Sequence, residues 1–435
     1  MAAPGFLALV KGAAALFGSS EMALRLVPLL SGIAALALFA MLARRLAPAW
    51  NAIFATAFFA VAPTLIEHGA ELKPYSTDVL AAVALTLAAL GLGAGAGLGR
   101  WIGATVLGAA AVWFAQGAVF VVAGLGVGLA FDALVERRVG LRLILLLAVW
   151  ASSAGLAVVS GFHRVPPDMR EYLDRYWNPS APRSPLFVFV ALAGFLLWKR
   201  NDRAAPLLLG PVLVTLAAAS AHLYPFAGRA ILFLAPAAIL AIAEAAGWIV
   251  DGLERLAVPR PMAAAIPYLA LCGVVAHDPP IYRLEETRPV LEELARRRRA
   301  GDAIYVYYAG GRSFHFYGPR VGLSDEGVVK GECHRSDPRA YLRELEPLRG
   351  QRVWIYRTHV SDRLAEGPLF DGYLGQLGKR VETIGAKGAD ATLWDLSGGG
   401  TSADTAETYP LPIRDVALAE RFGCDRGPIG KAPWD

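Results

Sequence analysis

Charge is what this chain has least of. Charged residues fill 18% of its 435 positions, against about 25% in soluble proteins. The shortage is uneven. Residues 1–278 hold 19 Lys+Arg and 14 Asp+Glu, whereas residues 279–435 hold 23 of each. The first stretch has a membrane composition and the second a soluble one. The whole net charge of +5 belongs to the first stretch. It reflects loop charges and gives no reason to invoke nucleic acid.

Cysteine is scarcer still. Of three cysteines, Cys272 falls in an apolar run, and Cys333 and Cys424 fall in the polar part. Neither a Cys-x-x-Cys pair nor a Cys/His metal spacing occurs. Cys333 and Cys424 can pair if that part faces an oxidising compartment, and can equally remain thiols. A signal peptide is also missing. Residues 2–17 carry only Lys11, with no basic start and no cleavage site. They read as a helix lying against a membrane interface. The Gly-rich stretch 91–99 follows an apolar helix, with the wrong spacing for a dinucleotide fingerprint, so it is a linker. No internal repeat of the kind common in transporters is visible.

What is abundant is hydrophobic sequence, at 55% of residues, with a mean hydropathy of +0.44. Ten runs suit membrane spans: 25–43, 48–66, 78–93, 101–114, 117–134, 141–160, 185–199, 205–222, 229–250 and 261–277. Only Ala115-Gln116 separates the fourth run from the fifth, so that pair is a tight hairpin. Ser19 or Ser20 can cap a helix that begins at Glu21 and ends at Arg44-Arg45. Alternate short loops carry Arg44-Arg45, Arg100, Arg137-Arg138 with Arg142, Lys199-Arg200 with Arg203, and Arg255 with Arg260. By the positive-inside rule these face the cytoplasm. Both termini and the polar part then lie outside. An outside N-terminus without a signal sequence calls for one further spanning helix upstream.

Residues 279–435 read as a small α/β domain. A helix over 286–299 precedes strands over 303–308, 352–360 and 391–397. The alternation suits a two- or three-layer sandwich. The last 38 or so residues, rich in Gly, Pro and Asp, read as irregular.

One polar island interrupts the apolar runs. Glu67–Asp78, EHGAELKPYSTD, holds Glu67, His68, Glu71, Lys73, Tyr75 and Asp78 in twelve positions. Lys73-Pro74 breaks the chain as a helix, and Ser76 or Thr77 can cap the next one. Two further outward loops supply His163, Arg164, Tyr172, Tyr176 and Trp177, and then His222, Tyr224 and Arg229. Ionisable groups at membrane depth are costly and tend to be functional. Lys73 and Arg229 suit a phosphate. Glu71 and Asp78 suit a base or a sugar hydroxyl, and Tyr and Trp suit stacking on a sugar. The plain alternatives are snorkelling anchors, an aromatic belt at the interface and an ordinary turn at Tyr224-Pro225. The island departs furthest from them.

The run beginning Glu21 (EMALRLVPLL), the island ending KPYSTD, the loop ending YLDRYW, and HLYPFAGRAILFLAP together resemble the GT-C integral-membrane glycosyltransferases. The similarity covers residues 3–278 and is greatest to the bacterial protein O-mannosyltransferase, aminoarabinose-transferase and Rgt-like branch. It implies a mainly α, polytopic bundle of about ten spans over 1–278, with a small extracytoplasmic α/β domain over 279–435. It implies a bacterial inner-membrane enzyme that moves a sugar from a polyprenyl-phosphate donor to a lipid, glycan or protein acceptor on the outer face. Asp78 matches the second acid of the family pattern, and Lys73 the basic residue that faces the donor phosphate. The family's first helix, and most of the first outer loop with its catalytic acid, precede the part that resembles residues 3–20. This chain is therefore expected to lack them and to be weak or inactive as a transferase. The full expectation assigns catalysis to Asp78 and Glu71. It assigns substrate binding to Lys73, Tyr75, Tyr176, His222, Tyr224 and Arg229, with no metal and no cofactor. The rival expectation is a non-enzymatic membrane protein, either a transporter or an assembly or sensor partner.

Overall fold

A computed structural model describes residues 3–93, 95–160, 204–226, 228–277, 285–324, 327–335, 337–360, 365–398 and 406–411. The chain forms two compact units, Met1–Ile281 and Tyr282–Asp435.

Among the described residues the first unit is helices and their connections. Its described helices are α1 (Pro4–Phe17), α2 (Glu21–Leu46), α3 (Ala49–Val61), α4 (Pro63–Ala70), α5 (Tyr75–Leu90) and α6 (Leu98–Phe114). They continue as α7 (Ala118–Val135), α8 (Leu141–Val159), α9 (Ala204–Ser220), α10 (Ala235–Arg255) and α11 (Arg260–His277). A 3-10 segment, Gly228–Leu234, leads into α10. Nine of the ten expected runs coincide with these helices, and 185–199 lies outside the described residues. By length and composition four helices can cross a membrane, and five if the bent pair α3–α4 counts as one span. Helices α5, α6 and α9 are apolar but shorter than 18 residues.

Local signals set these boundaries. Ser20 accepts the Ala23 N–H at 3.2 Å and so caps α2. Glu21 opens that helix and Arg44 and Arg45 close it, as its dipole favours. Pro63 at the first turn of α4 ends α3 and bends the pair by 46°. The expected cap of α5 is corrected. Pro74, not Ser76 or Thr77, is its N-cap, and no side chain caps it. The Thr77 hydroxyl instead meets Ser31 of α2 at 3.3 Å. Helix α1 packs on α2 and α6, with Gly5 seated against the Phe114 ring.

Glycine governs the closest helix contact. A Cβ on Gly124 of α7 would lie 2.1 Å from the Pro211 nitrogen of α9, and one on Gly210 would lie 2.1 Å from the Gly124 carbonyl. Gly128 likewise lies against the Pro206 carbonyl. Close backbone approach of this kind is how helices associate in lipid, where hydrophobic burial gives little drive.

The second unit is a five-stranded sheet between two helical layers. Its strands are β1 (Ala303–Val306), β2 (Val328–Lys330), β3 (Arg352–Thr358), β4 (Lys379–Ala386) and β5 (Ala389–Asp395). The order is β2-β1-β3-β5-β4, parallel across β2, β1 and β3 and antiparallel beyond. Strand alternation divides the core. Ile304, Val306, Trp354 and Tyr356 face α12 (Thr287–Arg297) and α13 (Gly311–Tyr317). Tyr305, Val353 and Ile355 face α14 (Pro338–Leu345) and α15 (Glu366–Leu377). Residues 406–411 pack on this second layer, where Tyr409 meets the Tyr373 ring at 5.3 Å. Cys333 is disulfide-bonded and Cys272 is a free thiol.

Candidate functional site

The start of α5 is the point where separate parts of the first unit bring charge together. Helix α4 ends with Glu67 and His68, and the turn Glu71–Pro74 carries Lys73. His68 is buried, and its Nδ1 meets Glu71 Oε2 at 3.3 Å. Lys73 Nζ reaches the same oxygen at 3.2 Å. The His68 ring also packs on Tyr75, with centroids 5.0 Å apart. The Arg229 guanidinium also stands over Tyr75, 5.8 Å from the ring centroid. Glu71, Tyr75 and Arg229 thus form one contact series built from two distant segments.

Asp78 lies one turn further along α5 and is 6% exposed. Its Oδ1 accepts the Gly117 N–H at 3.1 Å. Gly117 is the N-cap of α7, so the carboxylate closes the start of a neighbouring helix, where negative charge is favoured. This contact is what the sequence reading missed. The signal is the Ala115-Gln116 break between two apolar runs, which from sequence alone reads only as a tight hairpin. Tyr224 completes this side. Its ring packs on Phe120 at 4.3 Å, and its hydroxyl donates to the Ala230 carbonyl at 2.7 Å.

The structure therefore gathers Glu71, Lys73, Tyr75, Asp78, Tyr224 and Arg229 at one end of the bundle. His222 has a local backbone role. It closes α9 with φ 57°, donating its N–H to the Ala219 carbonyl at 3.0 Å, while Leu223 donates to Ala218 at 2.9 Å. That is the left-handed helix ending that glycine or asparagine commonly supplies. Tyr176, with the whole loop 161–184, lies outside the described residues.

An apolar groove of about 320 Å³ lies in the same unit. Pro63 and Leu65 of α4, Phe226, Ile231 and residues of α9 and α10 line it, as does Gly228, the residue before Arg229 in the chain. Glu67, His68 and Glu71 also each present a ligand atom, all within 4.8 Å of one another. They are the described residues able to hold a cation, although Glu71 already serves both His68 and Lys73.

No protein-family model and no curated protein sequence matches the chain. Among solved structures, it is similar to ArnT from Cupriavidus metallidurans in the apo state. The TM-score is 0.48 at 16% identity, covering 91% of this chain and 88% of that one. The same enzyme bound to undecaprenyl phosphate gives a TM-score of 0.48 at 14% identity, covering 90% of this chain and 87% of that one. At those values the likeness assigns neither family nor activity.

Proposed function

We propose that this chain is a GT-C-type membrane glycosyltransferase that takes a sugar from a polyprenyl-phosphate donor. The observation that carries this reading is an apolar groove whose lining includes Gly228, the residue before Arg229 in the chain. An isoprenoid phosphate needs this pairing: hydrocarbon for the chain and a cation for the head. Arg229 and Lys73 offset the charge of the departing phosphate. Tyr75 and Tyr224 border the sugar. The acceptor hydroxyl attacks the anomeric carbon as the bond from that carbon to the phosphate oxygen breaks. Its proton passes to Glu71, the more open of the two carboxylates, while Asp78 orients the reacting groups. The bonding pair leaves on phosphate, where preorganised cations stabilise it most. The reaction side is the outer face of the membrane, and Tyr282–Asp435 lies on that same side.

The test uses membranes that contain the full chain and labelled polyprenyl-phosphate sugars. Wild type should release polyprenyl phosphate and label an acceptor. Arg229→Gln should lower turnover by about a hundredfold, and Arg229→Lys should recover part of it. Turnover unchanged in Arg229→Gln, or absent from wild type with every donor tried, overturns the reading.

A further inference from the structure

We propose that the groove at the Leu90 end of α5 binds the phosphate of an anionic phospholipid. This inference does not rest on glycosyl transfer and concerns the opposite end of the same helix. Two adjoining cavities of about 650 and 770 Å³ share Arg45, Leu90 and Gly93 in their walls. Arg138 and Arg142 line the first and Arg100 the second. Four arginines from three separate connections thus converge on one hollow. Its volume is in the range that holds small-molecule ligands.

Three features separate these residues from ordinary anchors at helix ends. Arg100 and Arg142 lie in the first turns of α6 and α8, where the helix dipole disfavours a cation. A bound anion would offset that cost. Arg142 donates only to the Ala96 carbonyl, at 3.3 Å, and among the described residues Arg45, Arg100 and Arg138 have no acid partner. The acids Asp132 and Glu136 share the wall but are already engaged. Finally, the backbone turns sharply to bring Arg138 round. Arg137 takes φ 53°, and Arg138 donates its N–H to Ala133 at 2.8 Å, ending α7.

The rest of the lining separates a lipid from free phosphate. Leu46, Leu92, Trp101, Leu129 and Leu143 line the first cavity together with Arg45, Arg138 and Arg142. Val135, Val139 and Leu141 stand exposed around the same connection. A phosphate attached to acyl chains uses both surfaces, whereas inorganic phosphate uses only one. Basic hollows between spanning helices are suited to such head groups.

The purified full chain in neutral detergent supplies the test, by native mass spectrometry with phosphatidylglycerol, phosphatidylcholine or inorganic phosphate added. Wild type should retain phosphatidylglycerol in preference to phosphatidylcholine. Each arginine removed should weaken retention about fivefold, so R45Q/R100Q/R142Q should fall about a hundredfold. The matching Arg→Lys triple variant should keep most of the preference and unfold at the same temperature. Equal retention of both lipids by wild type overturns the proposal, as does undiminished retention by the Gln variant. Displacement of phosphatidylglycerol by millimolar inorganic phosphate would make free phosphate the ligand and overturn the lipid assignment.

Discussion

The two units hold themselves together with opposite kinds of residue. The helical unit makes its closest contacts where side chains are absent, at Gly124, Gly128 and Gly210. The α/β unit fills its core with the largest side chains available. Among the described residues, Trp354, Tyr305, Tyr307, Tyr341, Tyr356 and Tyr373 are the largest fully buried side chains, and all belong to it. The solvent explains the difference. In water, burying an aromatic ring is strongly favourable. In hydrocarbon the lipid offers the same apolar contact, so helices gain chiefly from shape and close approach.

Substitutions of opposite size should therefore break the two units. Trp354→Ala should cost about 4 kcal/mol, because the ring is 0% exposed between β3 and the α12 layer. Hydrogen exchange across the full chain should accelerate in β1 and β3 and leave α7 and α9 unchanged. If exchange accelerates equally in both units, they are not separate. In the bundle the sensitive change is an addition. Gly124→Ala should cost about 3 kcal/mol, because a backbone atom has to move and overpacking is rarely absorbed. Gly103, which has nothing within 4 Å, is the control. Gly103→Ala should be neutral or slightly stabilising. Equal melting temperatures for the two alanine variants would show that the α7–α9 seam is not close-packed.

The same contrast decides what could be read from sequence alone. Long apolar runs announce helices directly, and nine of the ten runs coincide with described helices. Strands β1, β3 and β5 were legible because β-branched and aromatic residues alternate in them. Strands β2 and β4 were missed. Val328–Lys330 is three residues long, and Lys379–Ala386 is an edge strand with mostly polar, exposed positions. The glycine seam was illegible because glycine in an apolar run signals nothing until its neighbour is known. At the candidate site, the island showed that Glu71, Lys73, Tyr75 and Asp78 are neighbours in sequence. It could not show that Arg229 stands over Tyr75, or that Asp78 holds the Gly117 N–H. Those contacts join residues 154 and 39 positions apart, and only the packing of the helices fixes them. The same holds for Cys333, whose bonded state depends on the fold and not on spacing.

Asp78 sharpens the comparison at the site itself, because it has a structural use and a proposed chemical one. Asp78→Asn keeps an oxygen for the Gly117 N–H while removing the charge. Helix closure should survive, with melting shifted by less than about 1 kcal/mol. Turnover should fall about a hundredfold, the smaller of these losses when expressed as free energy. The two readouts need to separate. A large fall in melting temperature with turnover per folded molecule intact would leave Asp78 as a helix cap alone.

The smallest expected effect lies in the α/β unit, at a partly buried pair. His334 Nε2 meets Glu344 Oε1 at 2.7 Å. That hydrogen bond, with help from the nearby Glu344, Glu332 and Asp337 charges, holds the imidazole pKa above its ordinary value in spite of partial burial. A raised pKa means that the folded state binds the proton more tightly than the unfolded one. The stabilisation is therefore complete below the unfolded value of about 6.5. It is lost as pH rises through the higher folded value. The two side chains are partly exposed, at 23% and 18%, so the pair's contribution should be about 0.5 kcal/mol. Hydrogen exchange in α14 should therefore be faster in His334→Gln than in wild type at pH 5.5. At pH 8.5 the two should agree once intrinsic exchange rates are corrected. A difference that grows toward alkaline pH would mean that neutral His334 is the stabilising form. Glu344 would then be held by Tyr305 and the Glu332 N–H, at 2.7 and 2.8 Å, without the imidazolium.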